Sequence, residues 1–256
     1  MLEIDYSRFD ASVARVIDET GRTGGDVIRQ QTRLFVRDAI ALTPPTGNAP
    51  LTESLSMQKK AGEGAVKNDI SRGFTEIEDM SIVKDTSNKF GQTLKRYART
   101  GEVGKLKTVL KRTGFKGSVV ASPSRYSHSK IRDKYGRVRK GEVNTFLVMR
   151  SGTVAKFTKE VQKLVGRAKA GWNNAARALG LPVPAWIARH AEPGELIDDS
   201  RNLQNPSMVV SNHVPFAQHH NRTNQIIQRA LNRRAESMEH QLNAALGKAF
   251  DGYSAK

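Results

Sequence analysis

The chain has 256 residues, enough for one large domain or two small ones. It contains no cysteine, which excludes a disulfide framework, a thiolate zinc site, an iron–sulfur cluster and a cysteine nucleophile. No stretch approaches the roughly 18 apolar residues of a membrane helix. The first ten residues, MLEIDYSRFD, are polar and acidic, unlike a signal peptide. We therefore expect a soluble protein that is made and kept inside the cell.

Charge is strongly segregated along the chain. Forty-two lysines and arginines against 25 acids give a net charge of +17. Sixteen of these bases lie between Lys89 and Lys140, against the two acids Glu102 and Asp133, so this stretch alone carries +14. The first 43 residues hold seven acids and six bases. Such a basic stretch is typical of proteins whose partner is nucleic acid or an acidic protein surface.

The N-terminal half predicts helices separated by glycine and proline. Phe9, Val13 and Ile17 recur at helical spacing, and Pro44-Pro45 ends the second helix because the residue before a proline is disfavoured in the α region. The predicted elements are helices over 5–19 and 26–42, a weak helix over 51–70, a strand over 75–83, short basic helices over 89–98 and 103–111, and a strand over 117–122.

The C-terminal half predicts the longest helices. Residues 124–141 have no clear period and carry seven bases, which indicates an arm or a long hairpin loop. The predicted elements after it are a strand over 144–150, a helix over 153–179, a short helix over 184–190, a loop over 191–206, a strand over 207–212 and a helix over 222–250.

Long amphipathic helices at both ends, with short strands between them, predict the α+β class. We expect these helices to pack on a small, mostly antiparallel sheet in a single domain spanning residues 1–256. The basic arm over 124–141 is then an extended insertion in that domain.

The sequence contains none of the familiar catalytic patterns, so we expect no catalytic, cofactor or metal site. Neither a G-x-S-x-G elbow nor an H-E-x-x-H helix nor a phosphate-binding glycine loop occurs. His213, His219 and His220 are close in sequence, but surface or interface histidines explain them. A metal-dependent nuclease built on His219, His220 and Asp198-Asp199 stays an alternative that an assay with a divalent metal would test.

The basic arm has two interpretations. Its cations could neutralise DNA phosphates without reading sequence, with Tyr126 and Tyr135 as stacking platforms. They could equally form a solvated loop or pair with an acidic face of a neighbouring subunit. The residues that would face the partner or DNA are Arg125, Lys130, Arg132, Lys134, Arg137, Arg139 and Lys140.

Three aromatic residues are candidates for packing or interface positions: Trp172, Trp186 and Phe216. Around Trp172 the sequence GWNNAA surrounds one large ring with small residues, so two backbones can approach closely while the indole fills the gap. Core packing is the first interpretation, and an intersubunit contact is the second.

Two stretches resemble the phage tail-completion or head–tail neck proteins, which include the lambda-type minor tail component. In IALTPPTGNAPLTESL a long helix runs into a Pro–Thr–Gly turn followed by a leucine and a serine. The second stretch runs from KAGWNNAARALG to VVSNHVPFAQHHN, where a strand with an asparagine precedes an aromatic–alanine pair and a long helix. The matching positions are Thr43, Pro44, Thr46, Gly47, Leu51, Ser54, Asn212, Phe216 and Ala217.

The resemblance implies a structural virion protein with a small α+β fold. Such a protein forms a homo-oligomeric ring at the neck of a tailed phage, is assembled in the host cytoplasm and contacts other neck and tail proteins. Asn48-Ala49-Pro50 departs from the tighter spacing of the family's turn, and the middle basic stretch has no counterpart in it. The alternative is a nonspecific nucleic-acid-binding protein that uses residues 89–140.

Overall fold

The computed structural model describes residues 7–20, 24–132, 145–202, 205–214 and 222–254. Their contacts divide the chain into two compact units where the sequence predicts one domain. Unit 1 consists of Met1–Ala61 and Val165–Lys256, and unit 2 of Gly62–Leu164. Unit 2 is therefore inserted in the sequence of unit 1. The predicted α+β class is confirmed, with helices, a three-stranded sheet and a separate two-stranded sheet.

Unit 1 is built mainly from helices near the two ends of the chain. Its helices are α1 (Ser7–Thr20), α2 (Gly24–Leu42), α9 (Arg167–Ala170), α10 (Asn173–Ala178), α11 (Ala185–Ala188) and α12 (Arg222–Ser254), and its strands are β4 (Gly194–Asp199) and β5 (Ser207–Asn212). The boundary between the units falls within α3 (Leu55–Gly73).

Helices α1, α2 and α12 share an apolar core in unit 1. Val13, Val27 and Met238 are buried together, and Phe9 and Ile17 pack against them. At the surface, Arg8 donates to both carboxylate oxygens of Glu239, at 3.2 and 2.9 Å. The amphipathic period that predicts the terminal helices thus corresponds to a shared core.

The antiparallel pair β4–β5 includes one strand that the sequence does not predict. Its register runs from Gly194 opposite Asn212 to Asp199 opposite Ser207. Strand β4 falls in the predicted loop over 191–206, because GELIDD holds a glycine and three acids, residue types that are depleted in strands. Pairing with β5 outweighs this weak local preference.

The predicted helix over 153–179 is wrong as a single element. The chain forms α8 (Thr153–Gln162), α9 and α10 in succession. Gly166 has a φ of 102°, outside the helical range, and a Cβ there would lie 2.7 Å from the Trp186 ring. The apolar period continues across this break, so periodicity alone predicts a continuous helix.

Unit 2 contains most of the remaining elements. They are β1 (Phe74–Glu76), a 3₁₀ turn (Ile77–Asp79), α4 (Ser81–Lys84), α5 (Lys89–Thr100), α6 (Val103–Arg112), β2 (Ser118–Val120), α7 (Arg125–Lys130), β3 (Phe146–Val148) and α8. The predicted strand over 75–83 is thus mostly the 3₁₀ turn and α4.

The expectation of a mostly antiparallel sheet is wrong for unit 2. Its strands lie in the order β1–β3–β2, and β3 is parallel to both neighbours. Parallel neighbours need crossover connections rather than tight hairpins, and helices lie in the long connections between these short strands. Strands of three residues show no alternation from which their direction could be inferred.

Two apolar clusters hold unit 2 together. In one, Leu94 of α5 and Leu106 and Leu110 of α6 pack with Val119 and Leu147 of the sheet. The other cluster joins Ile70, Phe74, Ile131, Val148 and Phe157. The helices of unit 2 therefore bury one face each and leave their basic faces to solvent.

The part of the predicted arm that the structure describes, residues 124–132, contains α7. Its N-terminus has a capping box, in which Ser124 Oγ accepts from the backbone N–H of Ser127. Ile131 is fully buried in the second cluster of unit 2. This part is therefore packed structure rather than an extended loop, while residues 133–141 lie outside the described residues.

Candidate functional site

Buried polar contacts surround the end of α2 in unit 1. Helix α2 is followed by Pro44 and Pro45, which have no N–H to donate to Ile40 and Ala41. Lys169 of α9 supplies the missing donor: its Nζ lies 2.5 Å from the Ile40 carbonyl oxygen and 3.4 Å from that of Ala41. The lysine therefore replaces backbone donors that the two prolines remove.

Lys169 is fully buried at this site. Its third acceptor is Gln58 Oε1 at 2.8 Å, and Gln58 is itself buried and donates to the Pro50 carbonyl. Burial lowers the pKa of Lys169 to about 7, because desolvation penalises the ammonium form. The site therefore holds a titratable amine in the interior of unit 1.

Trp172 completes the same site. It is buried, and its Nε1 donates to Thr43 Oγ1 at 3.0 Å. Thr43 Oγ1 in turn donates to the Ala39 carbonyl at 2.6 Å. The indole also meets Phe35 edge-on, with 6.3 Å between ring centroids. The predicted packing residue is thus both a core ring and a hydrogen-bond donor.

Asn212, at the end of β5, fixes the turn between α9 and α10. Its Nδ2 donates to the Ala168 carbonyl at 3.0 Å, and its Oδ1 accepts from the backbone N–H of Val214 at 3.1 Å. A Cβ on Gly171 would lie 2.0 Å from that Oδ1. Only glycine fits here without displacing the asparagine.

Replacing Gly171 with alanine should lower the free energy of unfolding by ~1–3 kcal/mol, because the added methyl overpacks the Asn212 contact. Urea unfolding of the full chain measures the change. Gly64→Ala is the matched control. It lies in α3 with open space around the added methyl, and it should stabilise by ~0.5–1 kcal/mol. A Gly171→Ala variant that is as stable as the wild type, or more stable, would contradict the assigned contact.

The other predicted aromatic positions differ in outcome. Trp186 is buried, and its Nε1 has no hydrogen-bond partner among the described residues. Phe216 lies outside the described residues. The structure therefore places two of the three predicted aromatic residues in the interior of unit 1.

The described members of the predicted basic arm do not form one cluster of free cations. Arg125 is exposed, and Lys130 Nζ lies 4.4 Å from the ring centroid of Tyr126. Arg132 pairs with Asp69 at 2.7 Å and is only partly exposed. The remaining members, Lys134, Arg137, Arg139 and Lys140, lie outside the described residues.

Of the two carboxylates in the nuclease alternative, Asp198 has structural partners. Asp198 Oδ2 pairs with Arg29 at 2.7 Å, and its Oδ1 accepts from the Ser200 hydroxyl. The bond from Ser200 lowers the pKa of Asp198. His219 and His220 lie outside the described residues. Within the described ranges, no three His, Asp or Glu side chains are grouped so as to hold a metal ion.

Unit 1 also contains an apolar cavity of about 630 Å³. It lies among α1, α2, α12 and β5, and its walls include Phe9, Phe35, Trp172 and Val210. Of the lining residues that the structure describes, Asp10 alone is ionisable. Its polar side chains are those of Asp10, Thr32 and Ser207.

Sequence reasoning does not identify Lys169 or the buried ion pair of Asp38. Asp38 Oδ2 lies 2.8 Å from Arg234 Nη2, and both side chains are about 4% exposed or less. Ile40 lies 129 positions from Lys169, and Arg234 lies 196 positions from Asp38, so no local motif signals either site. The prolines at 44 and 45 are the one local clue, since they leave α2 short of donors.

Comparisons with protein-family models, with curated proteins and with solved structures find no match to this chain. Among the residues that the structure describes, no helix has the length and apolar character needed to span a bilayer. The interpretation of this chain therefore depends on its own residues and their geometry.

Proposed function

We propose that this chain is a structural protein of a tailed-phage virion that forms an oligomeric ring at the neck, where it completes the tail or joins the head to it. The observation that carries the proposal is the contact between the two stretches that resemble this family. Trp172 of the second stretch donates to Thr43 of the first, and within the second stretch Asn212 packs against Gly171. Both stretches belong to unit 1.

The division of the chain supports the same proposal. The middle basic stretch, which has no counterpart in the resemblance, lies in unit 2, and unit 2 has apolar clusters of its own. A compact insertion with apolar clusters of its own can be added to a fold without supplying its core. Unit 1 is then the part that is shared with the neck proteins.

The chemistry of the site at the end of α2 is that of structure rather than turnover. Its polar groups satisfy one another: Lys169 donates to carbonyls of α2, and Trp172 donates to Thr43. Both donors are buried. In a closed ring two different surfaces of each copy meet, and buried contacts of this kind suit a non-enzymatic subunit that presents both surfaces.

The proposal is tested in the virus that encodes the chain by introducing a stop codon early in its gene. We expect filled heads and separate tails to accumulate, and a plasmid copy of the intact gene to restore joined particles. A plasmid copy with the same stop codon is the control. In wild-type particles, gold-labelled antibody against the chain should mark the neck. Complete infectious particles that lack the chain, or label elsewhere on the particle, would refute the proposal.

A further inference from the structure

Most of the excess positive charge belongs to unit 2. Residues 62–164 contain 23 lysines and arginines against ten acids, so they carry +13 of the net +17. Unit 1 supplies the rest from more than half of the chain. The charge that dominates the composition is therefore a property of the inserted unit.

Several acids among the described residues of unit 2 are engaged by nearby groups. Glu76 accepts from the backbone N–H groups of Gly152 and Val154, so it caps α8. Glu102 pairs with Lys105 and also accepts from the Thr100 hydroxyl. Further ion pairs of the unit join Asp69 to Arg132, Glu78 to Arg99 and Asp79 to Lys84.

Helix α6 presents the clearest surface of free cations. Leu106 and Leu110 are buried on its inner side. Lys107 and Lys111 lie one turn apart on its outer side, and Arg112 follows them. All three cations are exposed and have no ion-pair partner among the described residues. We call these three residues the α6 basic face.

The space between these cations is open. Gly104 and Thr108 lie on the same outer side of α6, and no atom lies within 4 Å of the place where a Cβ on Gly104 would be. Small side chains flanked by long cationic ones let a chain of phosphates approach the helix closely. The helix dipole favours cations in the last turn of a helix. Lys107 lies before the last turn of α6, so the dipole does not explain its position.

We propose that the α6 basic face binds the phosphate backbone of duplex DNA without reading its sequence. Phosphate contacts require cations and little else. An acidic protein partner would need an apolar or aromatic centre to dock on. Among the described residues of unit 2, Tyr126 of α7 is the one large apolar side chain that is exposed, and α5 and α6 have none. The surface therefore fits nucleic acid better than protein.

This inference goes beyond the proposed function and does not depend on it, because binding is a property of the purified chain. Fluorescence anisotropy with two labelled duplexes of unrelated sequence measures the affinity across a salt series. The full chain should bind both duplexes equally. The triple variant Lys107→Gln, Lys111→Gln and Arg112→Gln, which removes all three charges, should bind DNA at least 10-fold more weakly. It should also reduce the slope of log affinity against log salt by ~2–3, about 0.9 per lost phosphate contact.

The matched control removes the same charge from exposed positions of unit 1, with Lys60→Gln, Arg177→Gln and Arg229→Gln. Its affinity should stay within about threefold of the wild type, since those cations contribute only to the general field. Circular dichroism melting should show that both variants remain folded. Equal losses in the two variants, no DNA binding by the wild type, or binding to poly-glutamate in place of DNA would each overturn the inference.

Discussion

Replacing Trp172 with alanine should lower the free energy of unfolding by about 3–5 kcal/mol. The ring is buried and packs edge-on against Phe35, so its removal leaves a large cavity in unit 1. The variant also loses the hydrogen bond that Thr43 Oγ1 accepts. Urea unfolding of the full chain, followed by circular dichroism, measures the change.

Two further variants separate the contributions of the ring. Trp172→Phe keeps an aromatic ring but removes the indole N–H, so it should cost less, ~1–2 kcal/mol. Tyr126→Ala removes a ring that is 70% exposed and should change stability by no more than about 0.5 kcal/mol. A loss for Trp172→Ala as small as that for Tyr126→Ala would show that the indole is not a core residue.

The elements that the sequence predicts well are those with a strong local signal. Phe9, Val13 and Ile17 repeat at helical spacing and lie on α1, which packs against α2 and α12. The strands at Phe146–Val148 and Ser207–Asn212 are also confirmed, because β-branched and aromatic residues concentrate there. In these segments local preference and tertiary packing favour the same structure.

The elements that the sequence does not predict depend on distant partners. Strand β4 is paired along its length with β5, and between α8 and α9 the backbone leaves the helical range at Gly166, where Trp186 packs against the glycine. The parallel sheet of unit 2 joins strands that are up to 72 positions apart. None of these contacts has a counterpart in a window of neighbouring residues.

The candidate site at the end of α2 follows the same rule. The tryptophan is predictable as a packing residue, because small residues surround it in GWNNAA. The role of Lys169 is not, because a lysine in a basic segment predicts a solvated side chain. Its burial becomes understandable only when Pro44 and Pro45 are seen to leave the Ile40 and Ala41 carbonyls without backbone donors.

Lys169 should make the stability of the chain depend on pH between about 7 and 10.5. Its pKa in the folded chain is about 7, against an ordinary value of 10.5. Over this interval the unfolded chain binds more protons, so the free energy of unfolding rises with pH, by at most ~1.4 kcal/mol per pH unit. Below pH 7 the lysine is charged in both states, and its burial cost is fully present.

Lys169→Met removes this contribution and therefore isolates it. From pH 7.5 to 9, the wild type should gain ~1–2 kcal/mol relative to the variant. A neutral amine still donates two hydrogen bonds, so the contacts to Ile40 and Gln58 survive deprotonation. Urea unfolding at several pH values measures the difference. Lys60→Met, at an exposed position of α3, should run parallel to the wild type. If the pH profile of Lys169→Met also runs parallel to that of the wild type, the buried amine keeps its proton over the whole pH range, held by the carbonyls of α2.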